Sequence, residues 1–110
     1  MKKRKMVKKM KKIINGKKYD TDTARWVGNW GHGYEYDINY ISEDLYCKRT
    51  GEYFLYGEGG PCTEYSVAVS NSTWSSGCCI TPLSVDEAKE WAEEHLSGDA
   101  YEEEFGEVEE

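Results

Sequence analysis

Long apolar runs are the first thing missing from this chain of 110 residues. No segment approaches the roughly 20 apolar residues that a membrane-spanning helix requires. The basic start is not followed by the apolar core and small-residue cleavage site of a secretory signal. Both absences favour a cytoplasmic protein. Histidine is also scarce, with His32 and His95 the two copies, so an acid–base site built on histidine is not indicated.

Basic residues are almost missing after position 18. Residues 1–18 hold ten of the fourteen lysines and arginines and no acid, whereas residues 19–110 hold four basic and 21 acidic residues, a net charge of −17. We therefore expect a basic leader over residues 1–12, disordered because its charges repel one another. A single domain over 13–106 and an acidic tail over 107–110 would follow. Such a body is unsuited to a polyanion and suited to a basic partner.

The lysine-rich leader has two interpretations. One is a nucleic-acid or membrane-surface arm that folds as a basic helix on contact, which would make the protein a DNA-associated accessory protein. The other is a solvated tail upstream of the domain. Under the first interpretation the candidate nucleic-acid contacts are Lys2, Lys3, Arg4, Lys5, Lys8 and Lys9.

Paired C-x-x-C spacing is absent among the four cysteines, which are Cys47, Cys62, Cys78 and Cys79. Without an export signal we expect reduced thiols, some of them buried as small hydrophobes. Zinc prefers paired spacing, so we predict no metal site and no cofactor. A bridge between the adjacent Cys78 and Cys79 would be strained. A small thiol or metal enzyme, for example one with a Cys78–His32 pair, is the enzymatic alternative.

The clearest folding signal is LYCKRTGEYFLYGEGG, residues 45–60. Two aromatic-rich runs flank a turn in which Gly51 can adopt a positive φ, and this arrangement is typical of a β-hairpin. If Thr50 and Gly51 form a two-residue loop, Cys47 faces Phe54. A three-residue loop with a bulge at Gly51 shifts every pair by one residue.

Alternation and turn residues assign the remaining β structure. Asn15-Gly16 predicts a tight hairpin, and apolar–polar alternation predicts strands at residues 34–40 and 62–70. A last strand is expected at 78–83. Residues 20–24 are expected to form a turn or a helix start, and residues 25–33, 41–44 and 57–61 are expected to be turns or irregular. In residues 25–33, one helical turn carrying Trp26 and Trp30 on one face is the alternative.

A capping box marks the start of a C-terminal helix. Ser84 is followed three residues later by Glu87, so each side chain can serve a backbone N–H at the helix start. The apolar stripe of this helix consists of Val85, Ala88, Trp91, Ala92, His95 and Leu96. A further short turn capped by Asp99 should follow. We predict an α+β fold: an antiparallel sheet of about four to six strands, with one amphipathic C-terminal helix packed on one face.

Acidic residues cover the opposite side of that helix and the segment after it. The candidate partner contacts are Glu90, Glu93, Glu94, Glu102, Glu103 and Glu104. Trp74 lies in a polar loop, where a tryptophan either folds back onto the domain or is displayed as a binding anchor. The leading hypothesis is a non-enzymatic acidic protein that occupies a basic site on a protein partner.

Two segments, KIINGKKYDTDTA (residues 12–24) and LYCKRTGEYFLYGEGGP (45–61), carry a resemblance. They are similar to a group of small proteins of Gram-positive bacteria and their mobile elements. An ILPL-like strand and an acidic helix, here within residues 80–96, extend it. The resemblance implies no activity and no catalytic residue, and the basic leader and Cys78-Cys79 depart from the group. In general character, the chain also resembles acidic anti-CRISPR proteins, many of which block basic nucleic-acid grooves.

Overall fold

The computed structural model of the protein describes residues 9–34 and 37–110. In chain order, the elements are β1 (Lys11–Ile14), β2 (Lys17–Asp20), β3 (Arg25–His32), β4 (Ile41–Cys47), β5 (Tyr53–Gly59), β6 (Val67–Ala68), β7 (Trp74–Ser75), β8 (Gly77–Leu83), α1 (Val85–His95) and α2 (Gly98–Phe105). Four strands form the main antiparallel sheet in the order β3-β4-β5-β8, while β1-β2 and β6-β7 are separate hairpins. The predicted α+β class is confirmed, and β1 includes the last two residues of the predicted leader.

The main sheet is the middle layer because both of its faces are covered. Successive side chains of a strand point to opposite faces. On one face, Leu45 and Leu55 pack with Trp91 of α1. On the other face, Tyr46 packs with Tyr19 of the β1-β2 hairpin. Neither helix is long and apolar enough to cross a membrane within the described part of the chain.

The central hairpin has the three-residue loop, not the two-residue loop. Lys48 N–H donates to the Glu52 carbonyl at 2.7 Å, and Cys47 pairs with Tyr53. Gly51 has φ of 92°, a conformation that costs glycine little. The expected Cys47–Phe54 pairing is therefore wrong, and the alternative register, shifted by one residue, is confirmed.

The first hairpin is confirmed. Asn15 and Gly16 have φ of 52° and 77° and join Ile14 to Lys17, which are cross-strand partners. Positive φ at both central residues gives the loop a twist that matches its two strands.

Residues 25–32 form a strand, so the expectation of an irregular or helical segment was wrong. The register with β4 shifts between Trp26 and Gly28, which is a β-bulge, and one extra residue there reverses the alternation of faces. As a result, Trp26 packs with the hairpin side of the sheet and Trp30 with the helix side. Sequence spacing alone places these two side chains on one face.

Residues 41–44 and 57–59, expected to be turn and loop, are also strand residues of β4 and β5. Every residue of β4 is buried. The glycines of β5 make room for a covering loop, since a Cβ at Gly57 would collide with the Tyr65 ring. The polar residues and glycines of these segments are explained by close packing against other parts of the chain. Turn propensity depends only on local sequence, so it does not predict this packing.

The strand expected at residues 34–40 does not form in the described residues of that segment. Asp37 N–H donates to the Tyr34 carbonyl at 2.8 Å, which is a turn, and Tyr34 is 87% exposed. Residues 35 and 36 of that expectation lie outside the described residues. Of the strand expected at 62–70, only Val67–Ala68 pairs, with Trp74–Ser75, whereas the expected strand at 78–83 is confirmed.

The capping box of α1 is confirmed in both directions. Ser84 N–H donates to Glu87 Oε1 at 2.8 Å, and Glu87 N–H donates to Ser84 Oγ at 3.1 Å. Of the apolar stripe, Ala88, Trp91 and Ala92 are buried, while Val85 is exposed. The second helix is capped by Ser97, whose side chain accepts from Ala100 N–H, and not by Asp99 as expected.

Candidate functional site: the acidic helix surface

The outer side of α1 carries a row of exposed carboxylates. Glu90, Glu93 and Glu94 are spaced three and four residues apart and therefore share one side of the helix. All three are exposed, because Ala88 and Trp91 turn the opposite side onto the sheet. We call these three glutamates the acidic helix surface.

Basic residues of α1 itself accompany this surface: Lys89, four residues before Glu93, and His95. Within the described residues, no ion pair or hydrogen bond reaches the side chain of Glu90 or Glu93. Glu94 Oε2 lies 3.7 Å from Nε2 of His95, a pair that is ionic only when the imidazole is protonated. The Nζ of Lys89 lies 6.0 Å from the centroid of the Phe105 ring. The carboxylates of Glu90 and Glu93 thus keep their charge available to a partner.

The three candidate glutamates of α2 differ from one another. Glu103 is exposed, and Glu102 Oε2 accepts from Val108 N–H at 2.9 Å. Glu104 is turned inward: its side chain is only 4% exposed. Arg25 donates to both of its oxygens at 2.6 and 2.8 Å, and the Tyr53 hydroxyl donates to Oε2 at 2.6 Å. Glu104 therefore fastens α2 to strands β3 and β5.

Trp74 is displayed and not folded back. It is 57% exposed in the short β6-β7 hairpin, which Val69 N–H extends by donating to the Thr73 carbonyl at 3.0 Å. Val67 and Val69 are also exposed. Trp74 is the cross-strand partner of Ala68, so its side chain faces the side opposite to those of Val67 and Val69. An exposed tryptophan of this kind is a candidate binding anchor.

Two buried acids of β4 were not among the candidate residues predicted from the sequence. Glu43 is 6% and Asp44 is 2% exposed, and as neighbours in a strand they face opposite sides of the sheet. Trp26 Nε1 donates to Asp44 Oδ1 at 2.9 Å, and Asn29 Nδ2 donates to the same oxygen at 3.1 Å. The signal in the sequence was the abundance of indole and phenol donors, which can satisfy a buried carboxylate.

Glu43 connects three parts of the molecule. Trp91 Nε1 of α1 donates to Glu43 Oε1 at 2.8 Å, and the hydroxyl of Tyr65, from the loop before β6, donates to Oε2. Burial, and secondly the hydrogen bond to Glu43, raise the pKa of Tyr65 above its ordinary value. Because Trp91 lies between Glu90 and Glu94 in the helix, this contact fixes the direction of the acidic helix surface.

A third carboxylate–tyrosine group lies at the opposite face of the sheet. The hydroxyls of Tyr40 and Tyr56 donate to the two oxygens of Glu58, each at 3.1 Å. Burial, followed by the charge of Glu58, raises the pKa of Tyr56. Tyrosine hydroxyls thus accompany Glu43, Glu58 and Glu104, whereas the donors to Asp44 are an indole and an amide.

The thiol–imidazole pair proposed as an alternative does not form. His32 pairs with Ile41, Ile41 with Gly59 and Gly59 with Gly77, so His32 and Cys78 lie on opposite edges of the sheet. Three strand spacings separate them by roughly 14 Å. Cys78 and Cys79 point to opposite faces, and all four cysteines are free thiols. Among residues 9–34 and 37–110, no group of three or more His, Cys, Asp or Glu is arranged to hold a metal ion.

The nucleic-acid contacts proposed for the leader fall mostly outside the described residues, which exclude Lys2, Lys3, Arg4, Lys5 and Lys8. Lys9 is described. Its side chain is exposed, and its Nζ lies 3.8 Å from Asp22 Oδ2.

No protein-family model, curated protein or solved structure matches the chain. The chemistry of the surface itself is therefore the basis for a functional proposal.

Proposed function

We propose that this protein is a non-enzymatic, cytoplasmic binding protein whose acidic helix surface occupies a basic, nucleic-acid-binding site on a protein partner. The observation that carries the proposal is that Glu90 and Glu93 are exposed and lack ion pairs within the described residues, on a helix that Glu43 and Trp91 hold against the sheet. A rigid display lowers the entropic cost of binding, because the charges are already in place.

Electrostatics supports a basic partner. Residues 19–110 carry a net charge of −17, which attracts a positively charged groove at long range and accelerates encounter. The same charge repels nucleic acid, whose phosphates a protein must neutralise in order to bind. A protein that binds nucleic acid has a positively charged binding site. An anionic helix in that site would compete with the nucleic acid.

The exposed side chain of Trp74 supplies a second kind of contact. Charged rims contribute mainly to association rate, whereas buried aromatic anchors contribute most of the affinity. We propose that Trp74 anchors the complex, and that the whole acts as an inhibitor of the anti-CRISPR kind carried by a mobile element, in keeping with the resemblance in composition.

Affinity capture from a lysate of a Gram-positive bacterium tests the proposal. The bait is the full chain, compared with a variant in which Glu90, Glu93 and Glu94 are each replaced by Gln, which retains helix propensity. We expect a basic protein that is retained by the wild type at low salt, released at high salt because screening weakens exposed charge pairs, and lost with the variant.

A matched variant separates this surface from net charge in general. Replacing Glu64, Glu107 and Glu109 by Gln removes the same three charges from exposed positions elsewhere, and retention should persist. Retention that is indifferent to salt, or lost equally in both variants, would contradict the assignment to the acidic helix surface.

A further inference from the structure

A group of basic residues lies at one end of the main sheet. An open groove of about 460 Å³ lies beside the loop of the β4-β5 hairpin and the turn before β3. Its lining residues are Thr23, Ala24, Arg25, Cys47, Lys48, Arg49 and Gly51. Three of the four basic residues after position 18 are among them, and no acid is.

A smaller groove of about 220 Å³ continues the first. The two share Thr23, Ala24, Lys48 and Arg49. The smaller one adds Lys18 and a single acid, Asp20, to the lining. We call the two together the cationic groove.

Two of its cations are held in fixed positions by neighbours. Arg25 forms the paired hydrogen bonds to Glu104 already described. Lys48 Nζ lies 3.2 Å from Glu52 Oε1 and 4.2 Å from the centroid of the Tyr19 ring. Hydrogen bonds from Lys17 first, and then from Thr50 and Lys48, hold the pKa of Glu52 at about 2. Its negative charge thus fixes Lys48 without lying among the lining residues of the larger groove.

Arg49 differs from both. It is exposed on the β4-β5 loop, and its guanidinium has no ion pair or hydrogen bond within the described residues. Thr23, on the facing turn, adds a hydroxyl to the lining. A free guanidinium beside a fixed ammonium and a hydroxyl is a combination suited to phosphate oxygens, which arginine binds through two parallel N–H groups.

We propose that the cationic groove binds the phosphate group of a small phosphorylated molecule through Arg49, Lys48 and Thr23. Its volume lies within the roughly 300–1,000 Å³ typical of small-molecule sites. The size of the ligand follows from the volume: a groove of about 460 Å³ holds a compact anion, whereas a long polyanion would extend beyond it. This proposal is independent of the acidic helix surface, which lies on another part of the molecule.

Calorimetric titration of the full chain with pyrophosphate tests the proposal. We expect saturable binding, and Arg49→Gln should raise Kd about tenfold, the loss of one good charge-assisted contact. Because Arg49 is exposed, this variant should melt at the wild-type temperature. Lys89→Gln is the matched control, since it removes a basic residue of α1 outside the groove, and it should leave Kd unchanged.

Titration with a single-stranded oligonucleotide distinguishes the two sources of phosphate. Weaker binding of the oligonucleotide than of pyrophosphate is the expected result. Binding confined to the oligonucleotide would overturn the proposal of a small ligand. Absence of saturable pyrophosphate binding, or equal effects of Arg49→Gln and Lys89→Gln, would overturn the site.

Discussion

Glutamate side chains have different roles in two regions of this molecule. Glu43 and Glu104 are buried, and each accepts a tyrosine hydroxyl together with an indole or guanidinium donor. Glu90 and Glu93 are exposed and make no such contacts within the described residues. The first pair stabilises the arrangement of α1 and α2 on the sheet, whereas the second pair leaves its charge for a partner. Local sequence is acidic in both cases, so acidity alone does not indicate function.

The largest expected effect comes from removing the buried acid of β4. Glu43→Ala leaves Trp91 Nε1 and the Tyr65 hydroxyl without their acceptor in a buried site, and we expect the free energy of unfolding to fall by about 3 kcal/mol. Urea denaturation measures it. Glu93→Ala on α1 is the control and should change stability by less than about 0.5 kcal/mol; equal losses in the two variants would abolish the distinction between the regions.

A smaller loss is expected at the anchor of α2. Glu104→Ala removes the acceptor of Tyr53 and the partner of Arg25, and should lower the free energy of unfolding by about 1–2 kcal/mol. Arg25 contributes the lesser share because its side chain is 58% exposed and solvent screens the pair. Urea denaturation of Glu104→Ala and of the control Glu93→Ala compares the two losses of free energy of unfolding. If Glu104→Ala lowers the free energy of unfolding no more than Glu93→Ala does, Glu104 does not stabilise the position of α2.

Alkaline pH should lower the free energy of unfolding through the tyrosines that contact the buried and half-buried acids. Burial, together with the adjacent carboxylates, raises the pKa values of Tyr53, Tyr56 and Tyr65. Above pH about 10, unfolded tyrosines lose their protons while these folded ones keep them. The folded state then binds more protons, so the free energy of unfolding falls as pH rises. Denaturation series between pH about 9 and 11 measure the slope, and Tyr65→Phe should make it shallower. An unchanged slope in that variant would exclude Tyr65 as a contributor.

The smallest stability effect is expected at the displayed tryptophan. Trp74→Ala should alter the free energy of unfolding by less than about 0.5 kcal/mol, because its side chain is exposed, yet it should weaken partner capture. Thermal melting and the capture assay report the two effects separately. A large drop in melting temperature would mean that Trp74 supports the fold, as Trp91 does.

Local sequence signals predicted those parts of the fold whose causes are local. Asn15-Gly16 and the Ser84–Glu87 capping box need only neighbouring residues to act, and both are confirmed. Both hairpin registers place a glycine at position 51, so the turn sequence does not distinguish them. The packing of the flanking aromatic residues determines which register forms.

The failures share a non-local cause. Ser42, Glu43 and Asp44 have the composition of a turn, but donors from distant parts of the chain satisfy them in a buried strand. The β-bulge that separates Trp26 from Trp30 leaves no signal in a periodic pattern. For the candidate site, helical spacing predicted the shared side of Glu90, Glu93 and Glu94, but the inward turn of Glu104 depends on where α2 meets Arg25.

The dissociation constant of the purified captured partner, measured as a function of salt concentration, tests the central claim most directly. The account predicts that log Kd rises with log salt for the wild type and for the variant lacking charge at Glu64, Glu107 and Glu109. It predicts weaker binding and a shallower slope when Glu90, Glu93 and Glu94 are neutralised, since fewer exposed charge pairs remain to be screened. Identical affinities and slopes for all three proteins would contradict it.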